Sequence, residues 1–314
     1  MGRVSGPISE ADASPVEGHG AAGPKTVELF ESRRSRVGDL TVRRALPRRA
    51  HRTVGAWCFA DHMGPTTITE EHRVGIGPHP HMGLQTVTWL VAGEILHRDS
   101  RGSEQVIRAG QLNLMTAGAG VAHAEESTRS SLGALHGIQL WVAQPAATRN
   151  GDAAFEHHAE LPEVALDGAT ATVLVGDFAG VTSPSRRDTD HVGVDLAVSP
   201  GRATAPLHQA HEHALVVLSG AVTVEGVVVE PGQLAYLGTD RSELVLEAGR
   251  DTRVMLLGGE PFAEDILMWW NFVGRNPEEM NAAHDAWQAD DGRFGRVESA
   301  LDRLAAPTTP FRST

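Results

Sequence analysis

From Thr26 onward, apolar and polar positions alternate in short runs that Gly and Pro interrupt. Leu84–Val91 alternates and is rich in β-branched residues, which predicts a strand, and Ala92, Gly93 and Glu94 turn the chain into a second strand from Ile95 to Asp99. Further strands are expected at Gln105–Arg108, Gln111–Met115 and Gly137–Ala143, the last stopped by Pro145. A similar cycle follows, with strands at Val192–Val198, Ala214–Leu218, Ala221–Val224, Val227–Glu230 and Gln233–Tyr236. Strands spaced by about 8–12 residues with turn signals between them indicate sandwiches or barrels, and the repeated punctuation reads as a duplicated β-barrel unit. The expected class is therefore all-β: two tandem jelly-roll barrels with a short C-terminal helical segment.

The pattern changes near the C-terminus. Asn276 is a good N-cap, Pro277 suits the first helical position, and Glu278 and Glu279 complement the helix dipole. Met280, Ala283 and Trp287 recur at helical spacing, with Gly292 as the expected stop, and a second short helix is expected over Val297–Ala305. Ile266–Trp270 is a continuous apolar run that must cover a barrel or cement the two domains. The expected organisation is a flexible tail over 1–25, a metal-binding barrel over 26–150, and a second barrel without metal, plus helices, over 151–314.

Composition narrows the class of function. Lys and Arg total 27 against 40 Asp and Glu, a net charge of −13 that opposes direct binding to nucleic acid or anionic membranes. No apolar run is long enough to span a bilayer, and the first 25 residues lack the apolar core of a secretory signal. The single cysteine, Cys58, rules out an internal disulfide and reads as a small buried hydrophobe. A cytoplasmic location is the resulting expectation.

The chain also carries 16 histidines, and their placement points to a site. In Gly77-Pro-His79-Pro-His81-Met-Gly83, His79 and His81 share a face of an extended chain, and Pro80 confines the stretch to a sheet edge or strand start. Some 40 residues later, His123 and Glu125 again share a face. Barrel closure would bring the two pairs together as three imidazoles and one carboxylate. That donor set suits a six-coordinate non-haem Fe(II) with positions left for substrate. Zn(II), Mn, Ni, Co and Cu stay open as alternatives, since affinity order alone does not select among them.

At these residues the sequence resembles the pirin family of the cupin superfamily. The resemblance rests on Gly77-Pro-His79-Pro-His81-x-Gly83-x-x-Thr86-x-Thr88, Gly93, His97-x-Asp99-Ser100-x-Gly102 and Met115-Thr-Ala-Gly118-x-Gly120-x-x-His123-x-Glu125, preceded by Asp61-His-x-Gly-Pro65. It implies a bicupin with iron held in the first barrel by His79, His81, His123 and Glu125. Some bacterial members resemble quercetin 2,3-dioxygenases, which open a flavonol with O2 and release CO; Glu125 would then remain a ligand or act as the catalytic base. Animal pirin resembles a non-enzymatic regulator whose iron sets its fit to a protein partner, and this is the alternative function.

Other residues carry less. His208, His211 and His213 resemble a cupin first motif, but the partner strand Pro231–Gly238 offers no His or Glu. They are expected to form a rim cluster or a pocket without metal. Gln85 stands where many cupins carry a glutamate ligand, and either bonds a metal-bound water or packs. His97 and Asp99 read as a structural pair, and His157 and His158 as solvated linker residues. Gly118-x-Gly120 lacks phosphate-loop features.

Overall fold

The structure, a computed structural model, describes residues 26–128 and 130–312; the expected tail over 1–25 lies outside them. In chain order the strands are β1 (Glu28–Glu31), β2 (Arg33–Val37), β3 (Leu40–Leu46), β4 (Trp57–Ile68), β5 (Gly75–His81), β6 (Leu84–Ala92), β7 (Glu94–Asp99), β8 (Glu104–Arg108), β9 (Leu112–Thr116), β10 (Val121–Glu126), β11 (Gly133–Ala143), β12 (Ala154–His158) and β13 (Glu163–Leu166). There follow β14 (Ala169–Val175), β15 (Asp177–Phe178), β16 (Val181–Thr182), β17 (His191–Val198), β18 (Gly201–Pro206), β19 (Glu212–Ser219), β20 (Val222–Val224), β21 (Val227–Val229), β22 (Gln233–Gly238), β23 (Glu243–Ala248), β24 (Thr252–Gly259), β25 (Leu267–Trp269) and β26 (Phe272–Gly274), and then helix α1 (Pro277–Ala289).

The strands build two barrels of one plan, as the repeated punctuation predicts. Each pairs a seven-stranded sheet with a four-stranded one. The first has the orders β12-β9-β6-β11-β4-β3-β2 and β5-β10-β7-β8; the second has β1-β22-β19-β24-β17-β14-β13 and β18-β23-β20-β21. By position in these orders, β18 and β23 of the second barrel stand where β5 and β10 stand in the first. The edge strands are exchanged along the chain. β1, from the chain's start, pairs with β22 of the second barrel, and β12, which follows the first barrel in sequence, closes the first sheet on β9. His157 and His158 thus lie half-buried in a strand rather than solvated in a linker, with His157 Nδ1 2.7 Å from Asn113 Oδ1.

The large sheets face each other across one apolar core that takes Trp57, Val87, Trp89 and Leu140 from the first barrel and Leu174, Val216, Met255 and Leu257 from the second. Burial of side chains of this size contributes roughly 1.5–3 kcal/mol each, so this interface is a principal source of stability. Polar groups inside it are paired: Trp57 Nε1 donates to the carbonyls of Val192 and Gly258, and Trp89 Nε1 to Asp195 Oδ2.

The C-terminal segment covers the first barrel. Asn276 caps α1 by accepting the Glu279 N–H at 2.9 Å, as expected. The helix ends at Asp290, in left-handed conformation, two residues before the Gly292 stop expected from sequence. Met280, Ala283 and Trp287 pack with Trp269, Phe272 and Met82, which places the apolar run 266–270 over the first barrel. The helix expected over Val297–Ala305 does not form. There the chain runs as an irregular strap whose backbone bonds elsewhere: Leu304 N–H donates to Pro78 O, and Leu304 O accepts from Trp287 Nε1. These tertiary bonds use groups that a helix would need for itself. No helix among the described residues is long and apolar enough to cross a membrane.

Candidate metal centre

β5 is the edge strand of its sheet, the position where Pro80, lacking an N–H, is tolerated. It runs antiparallel to β10, with His79 opposite His123 and Pro80 opposite Ala122. The alternation of side chains then sends His79 and His81 inward with His123. A register shift between His123 and Glu125 sets Glu125 opposite Ile76. Two glycines allow the close approaches that shape the site. A Cβ on Gly77 would lie 2.0 Å from the Asp302 carbonyl of the strap, and one on Gly83 (φ +69°) would lie 2.1 Å from Val273 O.

The ligand atoms of His79, His81 and His123 fall within 4.8 Å of one another, and all three rings are buried. Their outer nitrogens are engaged. His79 Nδ1 lies 2.9 Å from Gly77 O and His81 Nδ1 lies 3.1 Å from Asn271 O. A carbonyl only accepts, so both rings carry their proton on Nδ1 and present a bare Nε2 to the interior. His123 Nδ1 faces His97 Nδ1 at 3.4 Å, and His97 Nε2 in turn faces Asp99 Oδ2 at 3.3 Å. The sequence reading of His97 and Asp99 as a structural pair did not show that the pair stands directly behind His123.

Electrostatics favour neutral rings. Burial is the main cause that lowers His79 to about 4 and takes His81 and His123 well below the ordinary histidine value; repulsion among the clustered rings adds to it. Neutral imidazole is the metal-binding form. His81 Nε2 and His123 Nε2 are 3.0 Å apart. With metal–nitrogen bonds of about 2.1 Å, two ligands at right angles on one ion would stand about 3.0 Å apart, so the residues present fit a divalent ion. Glu125 lines the same cavity but stands outside the three-histidine cluster. Burial pushes its carboxyl up to about 7.

The cavity beyond the histidines has an apolar wall that includes Leu40, Val42, Met63 and Ile76, and an aromatic wall of Phe59 and Trp141 stacked at 3.9 Å. Arg44 lies over Phe59 at 4.5 Å and is gripped by Asp61 through two hydrogen bonds of 2.8 and 2.7 Å. Burial raises the Asp61 carboxyl above its ordinary value against the opposing pull of Arg44. The β25–β26 turn supplies Trp270 and Asn271 to the rim, and the strap supplies Leu304. Trp270 holds a φ of 54°, a conformation that costs a bulky residue on the order of 1–3 kcal/mol and here aims the indole at the cavity. Sequence reasoning missed these rim residues: Asn271 lies 190 positions from the histidine it supports, and no spacing signal links them.

The remaining candidates fall elsewhere. Gln85 is fully buried and donates to Thr116 Oγ1 at 3.0 Å, while its Oε1 is buried without a partner. Cys58 is buried, as expected, and burial pushes its thiol up to about 12. His208, His211 and His213 line a separate cavity in the second barrel with Asp177, Arg187 and Asp190. The His211 and His213 ring centres there are 6.0 Å apart.

Comparison with known proteins identifies the family. Residues 39–142 match the pirin family model, and residues 193–295 match the model of the pirin C-terminal cupin domain. A Pseudomonas aeruginosa protein named a putative quercetin 2,3-dioxygenase is 46% identical over 278 residues, 88% of each chain. A pirin-like protein of Caulobacter vibrioides is 37% identical over 268 residues, covering 83% of this chain and 92% of the relative. The crystal structure of a quercetin 2,3-dioxygenase from Acinetobacter baumannii superposes with a TM-score of 0.88 at 40% identity, over 92% of this chain and 97% of that one.

Proposed function

Because the chain belongs to the pirin family, we propose that it is a dioxygenase of the quercetin 2,3-dioxygenase kind. It takes a flavonol and O2 at a divalent ion held by His79, His81, His123 and Glu125, with Fe(II) as the resident metal. The observation that carries this reading is the convergence of three neutral imidazoles, inner nitrogens bare, beside the stacked Phe59–Trp141 wall. The relatives named for quercetin 2,3-dioxygenase activity support the choice of substrate class.

When bound, the ion supplies Lewis acidity that lowers the pKa of a hydroxyl placed on it. The chain does the rest. Phe59, Trp141 and Trp270 form flat surfaces against which a planar polyphenol lies, and the Leu40–Val42 side keeps water from it. Arg44, fixed by Asp61, holds its charge at one end of the cavity, where it meets a substrate hydroxyl or carbonyl oxygen. Where Glu125 serves as the base rather than as a ligand, its carboxylate oxygen takes the proton of the flavonol 3-hydroxyl, and burial, which raises the carboxyl to about 7 in the metal-free protein, suits it to that work near neutral pH. In the overall change the C2–C3 and C3–C4 bonds both break, C3 leaves as CO with its own oxygen, and the two atoms of O2 end on C2 and C4 of the opened product.

The test is anaerobic loading with Fe(II), then measurement of oxygen uptake and loss of flavonol absorbance on adding quercetin. The expected result is turnover that vanishes in His123→Ala. Full iron occupancy with quercetin left intact would overturn the dioxygenase reading in favour of the non-enzymatic iron-binding regulator.

A further inference from the structure

The three histidines of the cluster are not supported alike. His79 and His81 lean on backbone carbonyls, which no substitution at those acceptor positions removes. His123 leans on a side chain, His97, which leans on another side chain, Asp99. We infer that Asp99 and His97 are positioning residues that set the tautomer of His123 and thereby present its inner nitrogen to the cluster. This inference rests on the reading of His79, His81 and His123 as metal ligands.

The argument follows the protons. Asp99 Oδ1 already accepts the backbone N–H groups of Arg101 at 2.9 Å and Ser103 at 3.0 Å, which leaves Oδ2 for His97 Nε2. Asp99 is therefore an acceptor with no proton to give, so His97 must carry hydrogen on Nε2. Its Nδ1 is then the lone-pair side and accepts from His123 Nδ1–H. That places the His123 proton on the outer nitrogen and leaves Nε2 unprotonated, 3.0 Å from His81 Nε2, an arrangement in which one shared ion would take both lone pairs. The opposite tautomer of His123 would put a hydrogen where a ligand bond must form. Phe155 of β12 stacks on His97 with centroids 4.4 Å apart and 15° between planes, which fixes the ring that relays the bond. His97 and Asp99 are both buried, so water does not replace either partner.

The discriminating variant is Asp99→Asn. Its amide oxygen keeps both turn N–H groups, so the chain reversal after β7 is retained, and its NH2 then faces His97 Nε2. A donor at that position forces the His97 proton to Nδ1 and, in turn, the His123 proton to Nε2. Two readouts follow. In metal-free protein labelled with 15N-histidine, long-range 15N–1H spectra should show His123 protonated on Nδ1 in the parent and on Nε2 in Asp99→Asn, with the signals assigned by their loss in His123→Ala. In competition with a chelator, Co(II) should bind Asp99→Asn about 10–100-fold more weakly than the parent. His97→Phe, which keeps the stacking on Phe155 but removes the relay, should also weaken Co(II) binding; it serves as the second variant if Asp99→Asn fails to fold. Parent-like Co(II) affinity in the folded variant, or a His123 proton that stays on Nδ1, would overturn the relay. A parent that holds Co(II) no better than His123→Ala would instead overturn the metal reading, and the tautomer spectra would still report on the relay.

Discussion

In the first barrel, β5 and β10 contribute His79, His81, His123 and Glu125 to a cavity. In the second, the strands at the same places in the sheet order, β18 and β23, contribute Ala203, Ala205, Leu244, Leu246 and Ala248 to an aliphatic core with Val194, Leu215 and Leu256. The backbone plan is shared, so the plan does not demand a metal. Closing the barrel requires only that inward positions be filled, and apolar side chains fill them with a gain of roughly 1.5–3 kcal/mol each. Buried imidazoles and a buried carboxyl forgo that gain, and desolvation moves the titration of each in the direction that opposes charge. The aliphatic interior at β18 and β23 favours folding, whereas the buried imidazoles and carboxyl at β5 and β10 forgo that gain. The histidines of the second barrel, His208, His211 and His213, line a cavity with Asp177, Arg187 and Asp190 that borders this core at Val192 and Leu256.

Metal stoichiometry offers the most forceful way to break this comparison. His81→Ala should lower the affinity for a divalent ion by more than about 100-fold, since outer partners alone are worth 10–100-fold. The double change His211→Ala with His213→Ala should leave one ion per chain. Equilibrium dialysis with metal analysis measures both. A second ion in the parent that disappears with the His211 and His213 pair would assign chemistry to both barrels and collapse the distinction.

The three-histidine cluster was legible beforehand because its spacing is local. Spacing placed His79 with His81 and His123 with Glu125, and the proline between the first pair marked the sheet edge that β5 occupies. The strand alternation and the repeated Gly turns announced two barrels. What was not legible depends on contacts far apart in the chain. Trp270 and Asn271 reach the site only because a hairpin folds back onto Met82, through the Val273 N–H bond to Met82 O. The Val297–Ala305 segment has helical composition, but its backbone bonds to Pro78 and Trp287 instead. The exchange of β1 and β12 between barrels is likewise set by pairing partners that no single segment encodes.

Stability sharpens the comparison next. Leu246→Ala removes a side chain 1% exposed from the aliphatic core of the second barrel and should cost about 2–5 kcal/mol in denaturant unfolding. His123→Leu, which puts an apolar residue of the second-barrel kind into the first, should cost the metal-free protein far less, or stabilise it, while abolishing metal binding. A larger loss from His123→Leu than from Leu246→Ala would show that the histidine cluster, not the aliphatic core, carries the fold.

The seam between the barrels supplies the smallest effect, one that depends on pH. His62 of β4 and His136 of β11 face each other with Nε2 atoms 2.9 Å apart, and Arg43 Nη1 lies 3.3 Å from His62 Nδ1. Burial is the first cause that lowers His62 to about 3, with repulsion from His136 and Arg43 adding to it; His136 is lowered as well, again mainly by burial. For a base held below its unfolded value near 6.5, the unfolded chain binds the extra proton first. The stabilising contribution is therefore complete above about pH 6.5 and is lost as pH falls from there toward 3. Thermal unfolding should weaken between pH 7 and pH 5, and His62→Phe, which cannot take up a proton, should flatten that part of the profile. Each unit of pH in this window costs at most about 1.4 kcal/mol per histidine, small beside the loss of a core leucine but specific to the first barrel's side of the seam. An unchanged slope in His62→Phe would mean that the acid sensitivity arises at other histidines and that the seam is indifferent to protonation.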